Sequence, residues 1–161
     1  METVKEVGNS AIPFSLERYF FTRTICIPTS GYRKKDARTG QIRVKASLAN
    51  KKDTPSKWKI GLAVGLSEET DRRRVPYNFA IDVEGFFLAS GEIVASMVYT
   101  RGAPMLYAIV TEYLRNITAA GPYGSLILPL YDFPPGDLAL AGGLKGKTCS
   151  GQWPKGGKII N

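Results

Sequence analysis

The chain has 161 residues, 43% of them hydrophobic and 22% charged, with a formal net charge of +8 and no histidine. That length fits one domain with an ordinary core, the composition is neither that of a disordered tail nor of a membrane protein, and the missing histidine removes the commonest general base and metal ligand. Cys26 and Cys149 match no metal or redox spacing, no apolar run is long enough to span a bilayer, and the stretch from Met1 to Ser15 lacks the apolar core of an export signal, so a cytoplasmic protein is expected.

Four stretches read as strands. Leu16 to Ile27 is rich in aromatic and β-branched residues and stops at Pro28. Ile42 to Leu48 alternates, with Ile42, Val44, Ala46 and Leu48 on one face and Arg43, Lys45 and Ser47 on the other. Trp58 to Leu66 repeats the pattern: Trp58, Ile60, Leu62, Val64 and Leu66 share a face, and Lys59, Gly61, Ala63 and Gly65 form an opposite face small enough for close approach. Phe79 to Leu88 places Phe79, Ile81 and Val83 opposite Asp82 and Glu84 and then turns aromatic at Phe86 and Phe87. The polar connections at 29–41, 50–57 and 67–76 leave no room for crossover helices, which favours an antiparallel meander.

The period then changes. From Pro104, residues Leu106, Ile109, Val110, Tyr113, Leu114 and Ile117 recur at helical spacing, and Gly121 with Pro122 marks the stop. Pro104 suits the first turn of that helix. The segment Ser90 to Tyr99 fits either a strand end or the approach to the helix. The expected organisation is an arm over 1–13, an α+β domain over 14–133 built as a four-stranded antiparallel sheet with one main amphipathic helix, and a Gly/Pro-rich basic tail over 134–161.

Motifs for catalysis are weak. Ala141 to Thr148 satisfies a relaxed phosphate-loop pattern, but Cys149-Ser150-Gly151-Gln152-Trp153-Pro154 is not a helix start, and the mechanism needs a helix there to cradle phosphate. Glu68 and Glu69 are neighbours on a turn beside Arg72, Arg73 and Arg74, where they read as a solvated loop. Asn116-Ile117-Thr118 is sequon-like but falls on the predicted helix, and no serine or cysteine has a histidine partner. No enzyme activity, metal or cofactor is expected. Basic clusters at Arg33, Lys34, Lys35 and Arg38, at Lys51, Lys52 and Lys57, and at Arg72 to Arg74 all fall in predicted loops. A nucleic-acid-binding module is the rival reading, and it requires those clusters to converge on one face beside stacking aromatics.

The order of several further motifs carries a resemblance. Gly102-Ala103-Pro104-Met105-Leu106-Tyr107, the helix through Thr118, Gly121-Pro122-Tyr123 and Leu126-Ile127-Leu128-Pro129-Leu130-Tyr131-Asp132-Phe133 follow one another as in the protein-export chaperone family SecB. Phe14-Ser15-Leu16-Glu17-Arg18-Tyr19-Phe20 resembles that family's opening strand, and Gly85-Phe86-Phe87 its Gly-aliphatic-Phe step. The resemblance covers about residues 14–133. It implies a dimer of dimers that holds unfolded polypeptides in hydrophobic grooves without nucleotide. Tyr19, Phe21, Trp58, Phe86 and Phe87 are then the expected client-binding residues. The helix face Leu106, Ile109, Val110, Tyr113 and Ile117 is the expected interface of a homo-oligomer, a tetramer or a dimer. The family docks the export motor SecA through acidic residues, and none stands near Arg23, Thr24 and Ile27. This argues against motor docking and sets a dedicated client, such as an antitoxin, beside general export. Membrane insertion is not expected.

Overall fold

The computed structural model describes residues 14–38, 40–91 and 93–135. Strand β1 spans Phe14–Pro28, β2 Ile42–Lys51, β3 Thr54–Leu66 and β4 Tyr77–Ala89; helix α1 spans Ala95–Ala119, and a single 3-10 turn lies at Lys34–Asp36. The four predicted strands are all present, each longer than its alternating stretch. The fold is α+β, a four-stranded antiparallel sheet with one long helix.

Only part of the sheet is a meander. The strand order is β1-β4-β3-β2, so β2, β3 and β4 follow one another while β1 pairs antiparallel with β4. The 29–41 connection therefore crosses the end of the sheet from one edge to the other, a step of three strand spacings, about 14 Å, that a linker of this length spans easily. Pairing with β4 sets Leu16 opposite Phe87, Tyr19 opposite Gly85 and Phe21 opposite Val83. The register shifts twice, between Leu16 and Arg18 and between Phe21 and Arg23. Each bulge flips the alternation, which is why no single period runs through β1.

The sheet's inner face is apolar. Ile42 and Val44 on β2, Ile60, Leu62 and Val64 on β3, and Ile81, Val83 and Phe87 on β4 are buried beneath α1. The helix answers with Val98, Ala103, Leu106, Val110 and Leu114, all fully buried. It lies mainly against β3 and β4, reaches β2, and meets β1 where Tyr113 packs on Phe21. Two glycines let it sit so close. A Cβ on Gly102 would stand 2.4 Å from Ile60 Cδ1, and one on Gly85 would stand 2.6 Å from Leu106 Cδ2.

Helix α1 begins at Ala95, nine residues before the Pro104 start expected from the sequence, and Pro104 sits inside it. A proline in a helix interior costs about 3 kcal/mol, through a lost hydrogen bond and a clash with the preceding turn. Val98 and Tyr99, both buried upstream of it, each return about 1.5–3 kcal/mol on burial, so packing outweighs the local cost. The segment Ser90–Tyr99 is thus a short link followed by helix.

After α1 the chain folds back as a strap over 121–135. Thr118 Oγ1 donates to Leu114 O (2.6 Å) and accepts the Leu126 amide (2.7 Å). Tyr77 Oη donates to Gly124 O (2.9 Å) and accepts the Tyr123 amide (3.2 Å). Tyr107 Oη donates to Pro129 O at 2.7 Å. Leu126, Leu128 and Phe133 are buried under these ties. The phosphate-loop-like motif at 141–148, most of the Gly/Pro-rich tail and the 1–13 arm lie outside the described residues.

Candidate functional site

The footprint of α1 leaves an apolar shelf beside β1. On the helix side of the sheet Tyr19 is 46% exposed and meets Phe21 edge-on at 6.1 Å between ring centroids. Phe21 in turn packs on Tyr113 of α1 at 4.4 Å. Tyr113 belongs to a stripe along the helix, Met105, Ile109, Tyr113 and Ile117, four residues apart and so on successive turns of one side. Ile109 and Tyr113 are half-buried, whereas Met105 and Ile117 stay exposed. The shelf thus runs from the β1 edge onto the helix and presents rings and branched aliphatics to solvent. Such a surface gains by covering apolar chains of almost any sequence, and the open edge of β1 offers backbone groups to an extended segment.

The five expected client-binding residues are not brought together. Tyr19 and Phe21 lie on the shelf. Phe86 points from the opposite side of the sheet, where it stacks with Phe20 at 5.7 Å and lies under the Arg18 guanidinium at 4.7 Å. Trp58 and Phe87 are core residues: Phe87 is wholly buried against Phe14 (5.2 Å) and beneath Gly102, and Trp58 belongs to the same cluster. Neighbours on a strand point to opposite faces, so Phe86 and Phe87 cannot serve one site. The expected helix interface divides in the same way. Leu106 and Val110 are buried between α1 and the sheet, out of reach of any other chain, and only Ile109, Tyr113 and Ile117 reach the surface.

The sheet's outer face is polar and shallow. Cross-strand ion pairs join Arg23 to Asp82 (3.0 Å) and Lys59 to Glu84 (2.8 Å), and Arg43 pairs with Glu68 just past the end of β3 (2.8 Å). Between them the small residues Ala63, Gly65 and Ala80 leave a trough of about 460 Å³. At one end of the sheet the Arg38 amide donates to Arg74 O (3.1 Å), which draws the basic clusters at 33–38 and 72–74 together. The third cluster, at Lys51, Lys52 and Lys57, sits around the β2–β3 turn.

Two groups have shifted ionisation. Burial raises the Cys26 thiol above its ordinary range, which disfavours the reactive thiolate. Burial, and then the neighbouring Tyr131, push the Tyr107 hydroxyl well above its ordinary value. Neither lines the trough on the outer sheet face. Among the described residues no three His, Cys, Asp or Glu side chains are grouped to hold a metal ion, and no helix is long and apolar enough to cross a membrane.

No family model and no curated protein matches this chain. Its fold does match a solved structure, the SecB-like chaperone of Mycobacterium tuberculosis in complex with a ChAD peptide from the HigA1 antitoxin. The TM-score is 0.60 at 14% identity, over 75% of this chain and 92% of that one. The fold is therefore SecB-like. A protein of unknown function from Streptococcus agalactiae is more distant, with a TM-score of 0.41 at 16% identity over 72% of this chain and 95% of that one.

Proposed function

We propose that this protein is a chaperone that holds unfolded or newly made polypeptides without ATP, catalysing no reaction and carrying no cofactor. The observation that carries this reading is the uncovered shelf of Tyr19, Phe21 and Tyr113 on a SecB-like fold. Apolar surface of this kind, bordered by an open strand edge, suits capture of extended chains by burial and main-chain pairing. Tyr19 and Phe21 are the client-contact residues in this proposal. Ile109, Tyr113 and Ile117 form the interface of a homo-oligomer, a tetramer or dimer, for which a two-fold contact would use the same stripe twice. The protein then acts in the cytoplasm.

A dedicated client is favoured over general export. The outer sheet face pairs its carboxylates Asp82, Glu84 and Glu68 with cations and, among the described residues, leaves Lys45 and Arg72 over, unlike the acidic surface with which the SecB family engages the SecA motor. The SecB-like chaperone that matches in fold is bound to an antitoxin peptide, which makes an antitoxin a fitting client class here.

The test is suppression of aggregation without nucleotide, with several denatured proteins and a co-expressed antitoxin as clients at stoichiometric amounts. Protection of at least one, weakened several-fold by Tyr19→Ser, is the expected result. Failure to protect any of them sinks the proposal.

A further inference from the structure

The outer face of the sheet carries a second feature, separate from the shelf. Its trough is walled on the β1 side by Ile25 and Ile27, which are 42% and 59% exposed, and on the other side by Arg43 and Lys45. Arg72 stands at its end. Ala63, Gly65 and Ala80 keep the floor low, and Gly61 continues it past Ala63 along β3. Among the described residues neither Lys45 nor Arg72 has an ion-pair partner, whereas Arg23 and Arg43 are already matched by Asp82 and Glu68. Beyond Arg72 the trough opens toward the joined basic clusters. There Asp36 and Asp71 neutralise only Arg33 and Arg74, which leaves Lys34, Lys35, Arg38 and Arg73 unmatched among the described residues.

We infer that this trough is a binding site for an extended peptide segment in which acidic and apolar side chains alternate. Such a segment would set its carboxylates against Lys45 and Arg72 and its apolar side chains against Ile25 and Ile27, with its acidic end in the field of the basic clusters. A second copy of this chain is a poor occupant, since a two-fold contact would set Lys45 and Arg72 against like charges. A nucleic acid fits less well. The one aromatic residue of its lining, Phe79, is buried in the core and presents no open ring for base stacking, and Asp82 and Glu68 would face the phosphates. The site lies on the side of the sheet opposite Tyr19 and Phe21, and it does not depend on the chaperone reading.

Fluorescence anisotropy decides it, using the full chain and a dye-labelled peptide of alternating valine and aspartate. A peptide with lysine for aspartate and a single-stranded oligothymidylate of equal charge serve as comparisons. The acidic peptide should bind at least about tenfold more tightly than either at low salt. The double variant Lys45→Glu with Arg72→Glu, and separately Ala63→Phe, which fills the floor, should each weaken it about tenfold or more. All three substituted proteins should keep the parent circular dichroism, and Tyr19→Ser should leave the affinity unchanged. Equal binding of the lysine peptide, tighter binding of the oligonucleotide, or retention of the acidic peptide by both trough variants would overturn the proposal. So would its loss in Tyr19→Ser, which would place the peptide on the shelf.

Discussion

Tyr107 shows how one hydroxyl fastens two parts of the molecule. It is a buried residue of α1, ringed by Tyr131 and Phe133 at 5.8 Å each, and tied to the strap through Pro129 O. Burial raises its proton affinity in the folded state above the ordinary value of 10.0, so the folded chain resists its ionisation. The stability this group supports is fully present below pH 10.0 and is lost as pH rises above that value, by at most about 1.4 kcal/mol per pH unit. Tyr107→Phe should cost about 0.5–1.5 kcal/mol at neutral pH, through the lost bond to Pro129, and should flatten the alkaline decline. Urea denaturation of both proteins between pH 8 and 11 measures the difference. Cys26, also raised by burial, titrates alike in both and cancels. An equally steep alkaline decline in the variant would show that the hydroxyl is not the titrating group.

Among the elements, α1 is the one whose extent runs against its local chemistry. Pro104 is exposed, so replacing it removes no packing, and an alanine there restores the missing amide donor one turn from Thr100. Pro104→Ala should therefore raise stability by about 1–3 kcal/mol, visible as a higher denaturant midpoint at unchanged slope. A lower midpoint would mean that the proline's ring is stabilising the helix. This residue also explains where sequence reasoning stopped short. A proline is commonest in a first helical turn, and only the burial of Val98 and Tyr99, a tertiary fact, reveals the earlier start.

Strands β2, β3 and β4 were legible because each keeps one strict alternation with an apolar face. The partner of β1 was not, since two bulges exchange its faces and local sequence does not say which edge it joins. The site was legible only in part. Tyr19 and Phe21 could be read as surplus aromatics. Trp58 and Phe87 were misplaced because a strand's alternation tells which residues share a face, not which face the helix covers. The opposition of Phe86 and Phe87 was available from their adjacency alone. Met105 and Phe20 were missed. The step of four residues linking Met105 to Ile109, Tyr113 and Ile117 was the signal for the first. The Arg18–Phe86–Phe20 arrangement needed the β1–β4 register, which only the structure supplies.

At the scale of the whole molecule, the outward stripe of α1 is the proposed contact between copies. Ile117 is 42% exposed, so Ile117→Asp should leave the single chain's stability within about 0.5 kcal/mol of the parent. In an oligomer the same change buries an unpaired carboxylate and should split the assembly. Light scattering coupled to size exclusion gives the mass of each. A parent that is monomeric at micromolar concentration, or a variant that keeps the parent's mass, would remove this stripe from the interface. Client protection by the dissociated variant would then tell whether Tyr19 and Phe21 work in a single chain.

Because the β1 ladder breaks at Glu17 and again at Thr22, a strand laid along its open edge meets short runs instead of one continuous zipper. Each backbone bond contributes about 0.5–1.5 kcal/mol net, so a run of two or three holds a segment briefly and lets it go unaided. Deleting Thr22 should lengthen the uninterrupted run and slow client dissociation in stopped-flow displacement, while an unchanged off-rate would mean that the edge takes no part in holding. The irregular edge also disfavours the seeding of ordered fibres, since a template for endless stacking must be straight and regular. For the proposed chaperone, residence time would then be written into the backbone of one strand: long enough to shelter a chain from its neighbours, short enough that release consumes no fuel.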